Sequence, residues 1–144
     1  MLKTKVIVIL ALLTLNLISC KKDKQTNAAC ILNETNLVGT YSYGPVTYKA
    51  TPSSPAVNAT SMVDACSLDD IIKLGANHVF TYTDAGVKCT PPGDGTSTWS
   101  LQGNIFTANS QSAIIDNFTC TSFTIANADL ISTGDTLLIT FKRQ

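Results

Sequence analysis

The chain has 144 residues, with ten basic and ten acidic side chains, one histidine and five cysteines. That length suits one domain beyond any targeting segment. With Arg143 as the only arginine, no basic patch is present and nucleic acid is not expected as a partner.

In chain order, Lys3 and Lys5 precede the apolar segment 6–18, thirteen residues interrupted only by Thr14 and Asn16. A bilayer-spanning helix needs about 20 residues. A basic start, a short apolar run and a small residue before a break instead describe a secretory signal peptide over 1–19. Leu17-Ile18-Ser19-Cys20 resembles the lipobox of bacterial lipoproteins. The resemblance implies that Cys20 becomes the acylated N-terminus. One acyl chain anchors only marginally, so stable attachment takes more than one signal, which triacylation supplies. Lys21 follows the anchor where an aspartate would mark inner-membrane retention, so the expected location is the outer membrane, facing the periplasm or the exterior.

The mature chain would have 144 − 19 = 125 residues. Without Lys3 and Lys5 it carries eight basic and ten acidic groups, a formal charge of −2. Residues 20–36 are polar and read as the anchor and a tether, with the folded domain over 37–144. Cys30, Cys66, Cys89 and Cys120 remain, an even set that in an oxidising compartment reads as disulfides. No two of them stand two to four apart and His78 is the sole histidine, so no metal site is expected.

From residue 37 the pattern is β. LVGTYSY (37–43) alternates with Leu37, Gly39, Tyr41 and Tyr43 on one face, and 50–62 reads as a long loop. Ile72 and Leu74, a turn at 75–78, then Phe80 and Tyr82 predict an antiparallel hairpin. Its register brings Cys66 near Cys89 and favours that pairing among three connectivities. Cys30 with Cys120 follows by elimination. Trp99 and Leu101 share a face of a strand over 97–101, 102–104 turns into IFTA, and 123–131 with 136–141 predicts a last hairpin. Short strands separated by Gly, Pro and Asn turns indicate an all-β sandwich or barrel.

The lipobox, LVGTY, C-x-x-D-D followed by F-x-Y, T-W-S-L, F-T-I and the terminal ITFKR together resemble the lipocalin-like lipoproteins of Bacteroidota, from about Leu37 to the C-terminus. The resemblance implies a single small up-and-down antiparallel β-barrel of about eight strands. It further implies a Gly-x-Trp-like element in the first strand, where this chain has Tyr41, and a first loop lying over the open end. A glycine is usual at the turn position held by His78; histidine is among the residues enriched at positive φ.

Such barrels are filled by side chains or hold one small ligand, and both alternatives are open here. The candidate interior ligand contacts are Tyr41, Phe80, Tyr82, Trp99 and Leu101; Ile125, Leu137 and Ile139 are also expected inside. Candidate partners are therefore the membrane through the anchor, a small hydrophobic molecule, or another envelope protein. Catalysis is not expected, and neither is a cofactor. A triad of His78 with Asp69 or Asp70 and a serine would need a nucleophile, base and acid within mutual reach, and an exposed turn is a poor place for one. Adjacent on a strand, Asp69 and Asp70 point to opposite faces and read as solvation at a strand end, while Asp94 reads as turn chemistry. Asp135-Thr136-Leu137 resembles a short O-glycan acceptor motif of Bacteroidota, and the Asn-x-Thr triplets at 33, 58 and 117 are not expected to carry glycans in a bacterium.

Overall fold

The computed structural model describes residues 30–144. The expected signal peptide, Cys20 and the first part of the tether lie outside the described residues. Nine strands follow one short helix: α1 Glu34–Leu37, β1 Gly39–Lys49, β2 Val57–Asn58, β3 Ile71–Leu74, β4 Val79–Thr83, β5 Gly95–Gln102, β6 Ile105–Ala108, β7 Gln111–Thr119, β8 Ser122–Ala128 and β9 Thr136–Arg143. All pairings are antiparallel, and β1 also pairs with β9, so the single sheet closes into a ring. Seen around the ring, β1 and β3 to β9 form an up-and-down meander. β1 offers β9 one edge from Tyr41 to Lys49. Its other edge serves β3 at residues 39–42 and the two-residue β2 at 47–48. Of the sandwich and the barrel left open by the strand pattern, the observed fold is the all-β barrel, as the resemblance implies.

Between Tyr43 and Val46 the β1–β9 register shifts. Gly44-Pro45 occupies that bulge, a place where a residue without an N–H is tolerated. The shift turns the strand so that Tyr41, Tyr43, Val46 and Tyr48 stand across from Arg143, Phe141, Ile139 and Leu137. The predicted hairpin is present, with Ile72 opposite Tyr82 and Leu74 opposite Phe80. His78 sits in its turn at φ 62, the left-handed conformation expected of it.

Several boundaries differ from the sequence reading. Leu37 ends α1 rather than opening β1. The Asn33 side chain caps the helix by accepting from the Asn36 N–H at 2.8 Å, and Leu37 is completely buried. Leu32 packs on the core as well, so the folded unit already includes residues 30–36 that were assigned to the tether. Strand β7 has no counterpart in the sequence reading. Its alternation is broken by a register shift between Ile115 and Asn117 and by the exposed Ile114. The last hairpin has a longer loop than expected, because β8 stops at Ala128 and residues 129–135 are irregular.

Cys66 and Cys89 are bonded, as are Cys30 and Cys120, with Cα separations of 5.2 and 5.5 Å. The first links the loop before β3 to the loop after β4. The second fastens the segment before α1 to the β7–β8 turn, at the opposite end of the barrel.

Candidate functional site

One end of the barrel is plugged. Tyr41, Leu74, Trp99, Phe123 and Leu37 are at most 2% exposed there. Tyr41 meets Phe123 edge-on at 4.9 Å, and Phe123 stacks on Phe141 at 5.1 Å. The Tyr41 hydroxyl donates to the Leu37 carbonyl at 2.7 Å and accepts from Arg143 Nη2 at 2.8 Å. Arg143 also donates to the carbonyls of Val38 (2.8 Å) and Asn36 and lies 5.2 Å from the centre of the Tyr41 ring. The lone arginine therefore ties α1, β1 and β9 together, a cation–π contact included. Gly39 leaves room for it: an added Cβ would stand 2.8 Å from Arg143 Nη1, so the guanidinium would have to shift. Trp99 donates from Nε1 to the Gly75 carbonyl at 2.9 Å, closing the β3–β4 turn over the same end.

Toward the other end the interior opens into a cavity of about 220 Å³. Its apolar wall comes chiefly from Ile72, Phe80, Phe106, Ile125 and Phe141, and its polar margin from Tyr43, Tyr82, Gln111, Ser112 and Asn127. Of the candidate contacts, Phe80 and Tyr82 line this cavity. Tyr41, Trp99 and Leu101 do not: the first two are buried in the plug and Leu101 packs against the same core cluster. Alternation placed them correctly on the inner face, but it carries no information on depth along the barrel axis. Ile125 lines the cavity as an interior residue, Leu137 is buried in a second cluster with Val46 and Ala59, and Ile139 packs on both that cluster and the main core. Ala59 belongs to the loop after β1. Its N–H donates to the Val46 carbonyl at 3.0 Å, which seats part of that loop on the barrel mouth.

The rim of the open end is organised by buried carboxylates that sequence reasoning treated as surface groups or overlooked. Asp70, expected to be solvated, is fully buried. It accepts from the Tyr82 hydroxyl and from the Ala85 N–H at 2.9 Å. Asp84, also fully buried, accepts from the backbone N–H groups of Cys89 (3.2 Å) and Gly93 (3.1 Å). Asp94 accepts from the Asp84 N–H at 3.0 Å, in keeping with turn chemistry. Asp69 remains exposed and accepts from the Val87 N–H at 2.9 Å. Gly86, at φ 50, has no room for a side chain against the Asp69 carboxylate. Across the mouth, buried Asp135 gathers the N–H groups of Leu130, Ile131 and Ser132 at 2.8–2.9 Å and the Tyr48 hydroxyl at 3.0 Å. The acceptor motif at Asp135-Thr136-Leu137 is consequently held in the fold, with Asp135 and Leu137 buried and Thr136 paired to both Lys49 and Ala128.

These surroundings move the titrations. Desolvation pushes the Asp135 carboxyl up, but the backbone N–H groups and Tyr48 outweigh it, and its pKa lies below the usual value. Burial raises Tyr41, against partial relief from the Arg143 charge. It raises Tyr43 with the help of the Asp70 charge, and Tyr48 and Tyr82 with the help of their bonds to Asp135 and Asp70. All four phenols stay protonated at neutral pH, and those of Tyr41, Tyr48 and Tyr82 donate to the Leu37 carbonyl, Asp135 and Asp70.

No protein-family model matches the chain, and no curated protein or solved structure matches it either. Functional argument therefore rests on the geometry of the site itself. His78 Nδ1 lies 3.2 Å from the Trp99 carbonyl oxygen, and Nε2 lies 3.6 Å from the Glu34 carboxylate at the plugged end. It is remote from Asp69 and Asp70, so the triad weighed above is not assembled. Asp70, Asp84 and Cys89 place potential ligand atoms close together. However, Cys89 is committed to its disulfide and both carboxylates to hydrogen bonds within the fold.

Proposed function

We propose that this protein is an outer-membrane lipoprotein of the lipocalin-like type, anchored by acylated Cys20, whose barrel binds a small apolar molecule. The cavity of about 220 Å³ behind the loop-bearing end carries this reading. It has the make-up of a ligand site, a largely apolar wall with a few polar groups to orient the guest. It is smaller than the roughly 300–1,000 Å³ usual for drug-sized ligands, so the guest is small. Ala59 packed on Val46 and Leu137 supports a role for the first loop as a partial cover. Binding without chemical conversion is the reading for His78 and the aspartates, which serve turns and loops.

Native mass spectrometry of protein purified without denaturation should show a bound mass removed by extraction; consistently empty protein counts against the ligand. Fatty-acid labelling of the native chain, lost in Cys20→Ala, tests the anchor. A second reading, an interaction module of the envelope, is favoured by the apolar side chains that the open-end loops expose: Val57, Met62, Val87, Leu130 and Ile131. A stoichiometric envelope partner lost on Leu130→Ser/Ile131→Ser, with an interior that takes up no guest, would select it.

A further inference from the structure

We infer that the guest is a small ring-bearing organic cation, held with its ring in the cavity and its ammonium group at the mouth. The inference rests on the reading of the cavity as a ligand site and narrows it: the apolar part of the guest is a ring that fills the cavity, and its other end carries a positive charge. Size comes first: an apolar cavity of roughly 150 Å³ accepts benzene, so about 220 Å³ suits one ring with a short polar arm. Five aromatic side chains line it, Tyr43, Phe80, Tyr82, Phe106 and Phe141. Aromatic faces attract a cation electrostatically, and more strongly where water is excluded.

Charge at the mouth points the same way. The loop before β3 carries Asp64, Asp69 and Asp70, the β4–β5 loop Asp84 and Asp94, and the β8–β9 loop Asp129 and Asp135. Against these seven stand Lys88 in the β4–β5 loop and Lys49 at the end of β1. The Lys88 ammonium is already engaged by the Asp84 carbonyl. Hydrogen bonds to Asp70, Asp84 and Asp135 hold the loops, and those to Asp135 lower its pKa and so keep it ionised at neutral pH. A cleft lined by one sign of charge concentrates ligands of the other. Tyr82 joins the two features, since its ring walls the cavity while its hydroxyl donates to Asp70. Among the described residues, an entering carboxylate would meet seven acidic groups at this end against two ammonium groups.

The test compares benzylamine at pH 7, benzyl alcohol and benzoate, which share a ring and differ in charge. Titration calorimetry would use the whole exported chain carrying Cys20→Ser, with both disulfides formed. The expected order is benzylammonium at least threefold tighter than the alcohol and at least tenfold tighter than benzoate at low salt, the ratios shrinking as salt screens the rim. Asp64→Asn/Asp129→Asn, two exposed rim positions, should reduce the preference for the amine at least twofold. Ala108→Leu, which fills the cavity, should weaken the amine and the alcohol alike. Alcohol binding equal to or tighter than the amine, or benzoate binding on a par with it, overturns the cationic class and leaves the cavity reading standing. So does failure of all three probes when native mass spectrometry shows another occupant. Failure of all three with no occupant found overturns the cavity reading itself.

Discussion

At the plugged end, Tyr41 and Phe123 are completely buried and the single arginine is bonded to the Asn36 carbonyl of α1 and to Tyr41. At the open end, the same barrel leaves a void beside Tyr43, Tyr82 and Ile125, and its loops are held by carboxylates that accept backbone N–H groups. Cohesion is therefore divided by chemistry. Aromatic packing holds one end, and polar satisfaction of irregular backbone holds the other. Packing stabilises by excluding water from side chains, whereas a buried carboxylate chiefly spares loop amides the cost of lying unpaired. A barrel built this way can keep one end shaped and accessible while the other carries most of the stability.

The largest expected effect separates the two disulfides. Cys30 and Cys120 are 90 residues apart and Cys66 and Cys89 only 23. On the chain-entropy account, Cys30→Ser/Cys120→Ser should cost roughly 4–5 kcal/mol and Cys66→Ser/Cys89→Ser roughly 3 kcal/mol. Denaturant unfolding of the two double variants would check the order. Equal losses would mean that the plugged end gains nothing special from its longer closure.

Core truncations sharpen the same contrast. Phe123→Ala should cost about 3–5 kcal/mol, as for other buried aromatic rings. Ile125→Ala removes a side chain that already faces empty space, and about 1–2 kcal/mol is expected, below the usual range for fully buried positions. A loss at Ile125 as large as that at Phe123 would show that the void is closed in solution.

Smaller and more local is the effect of Asp84→Ala, which leaves the Cys89 and Gly93 N–H groups without their acceptor. About 1–3 kcal/mol is expected, with amide exchange accelerating across residues 84–94 and unchanged in β7 and β8. Uniform acceleration would break the division into two separately held ends.

The pH response is the mildest probe. Asp135 has a lowered folded pKa, so its contribution is present above about pH 4, the unfolded aspartate value, and is lost as pH falls through the folded one. Raised phenol values act in the opposite direction. The tyrosine contribution is complete below about pH 10 and is lost as pH rises through the folded values. Phenolate absorbance measured against pH should therefore rise later than for free tyrosine and together with unfolding. Titration of all four phenols near pH 10 in folded protein would contradict the burial described for them.

Much of this architecture is legible in the sequence, for identifiable reasons. The β3–β4 hairpin has unbroken alternation and a turn of four residues, so its register and the Cys66–Cys89 bond follow from local geometry, whereas the positive φ of His78 is implied by the glycine usual at that turn position in the family the chain resembles. β7 was hidden because a bulge shifts the phase of its alternation and because Ile114 points its apolar side chain to solvent beside Ile105. The candidate site was half legible. Period-2 patterning identifies inward residues such as Tyr41 and Tyr82 alike, but only the stagger of the ring determines which lies in the plug and which beside the cavity. Asp84, a single acidic residue in a loop, carries no signal for burial, since what it satisfies is backbone that folds around it.

The pairing of β9 with both β8 and β1 has a temporal consequence. A chain synthesised N-terminus first presents β1 long before Thr136–Arg143 arrives, and contacts between segments so distant in sequence form slowly. One edge of β1 must wait, without its lasting neighbour, until the final strand has come through. The ring is therefore sealed by the last piece to arrive.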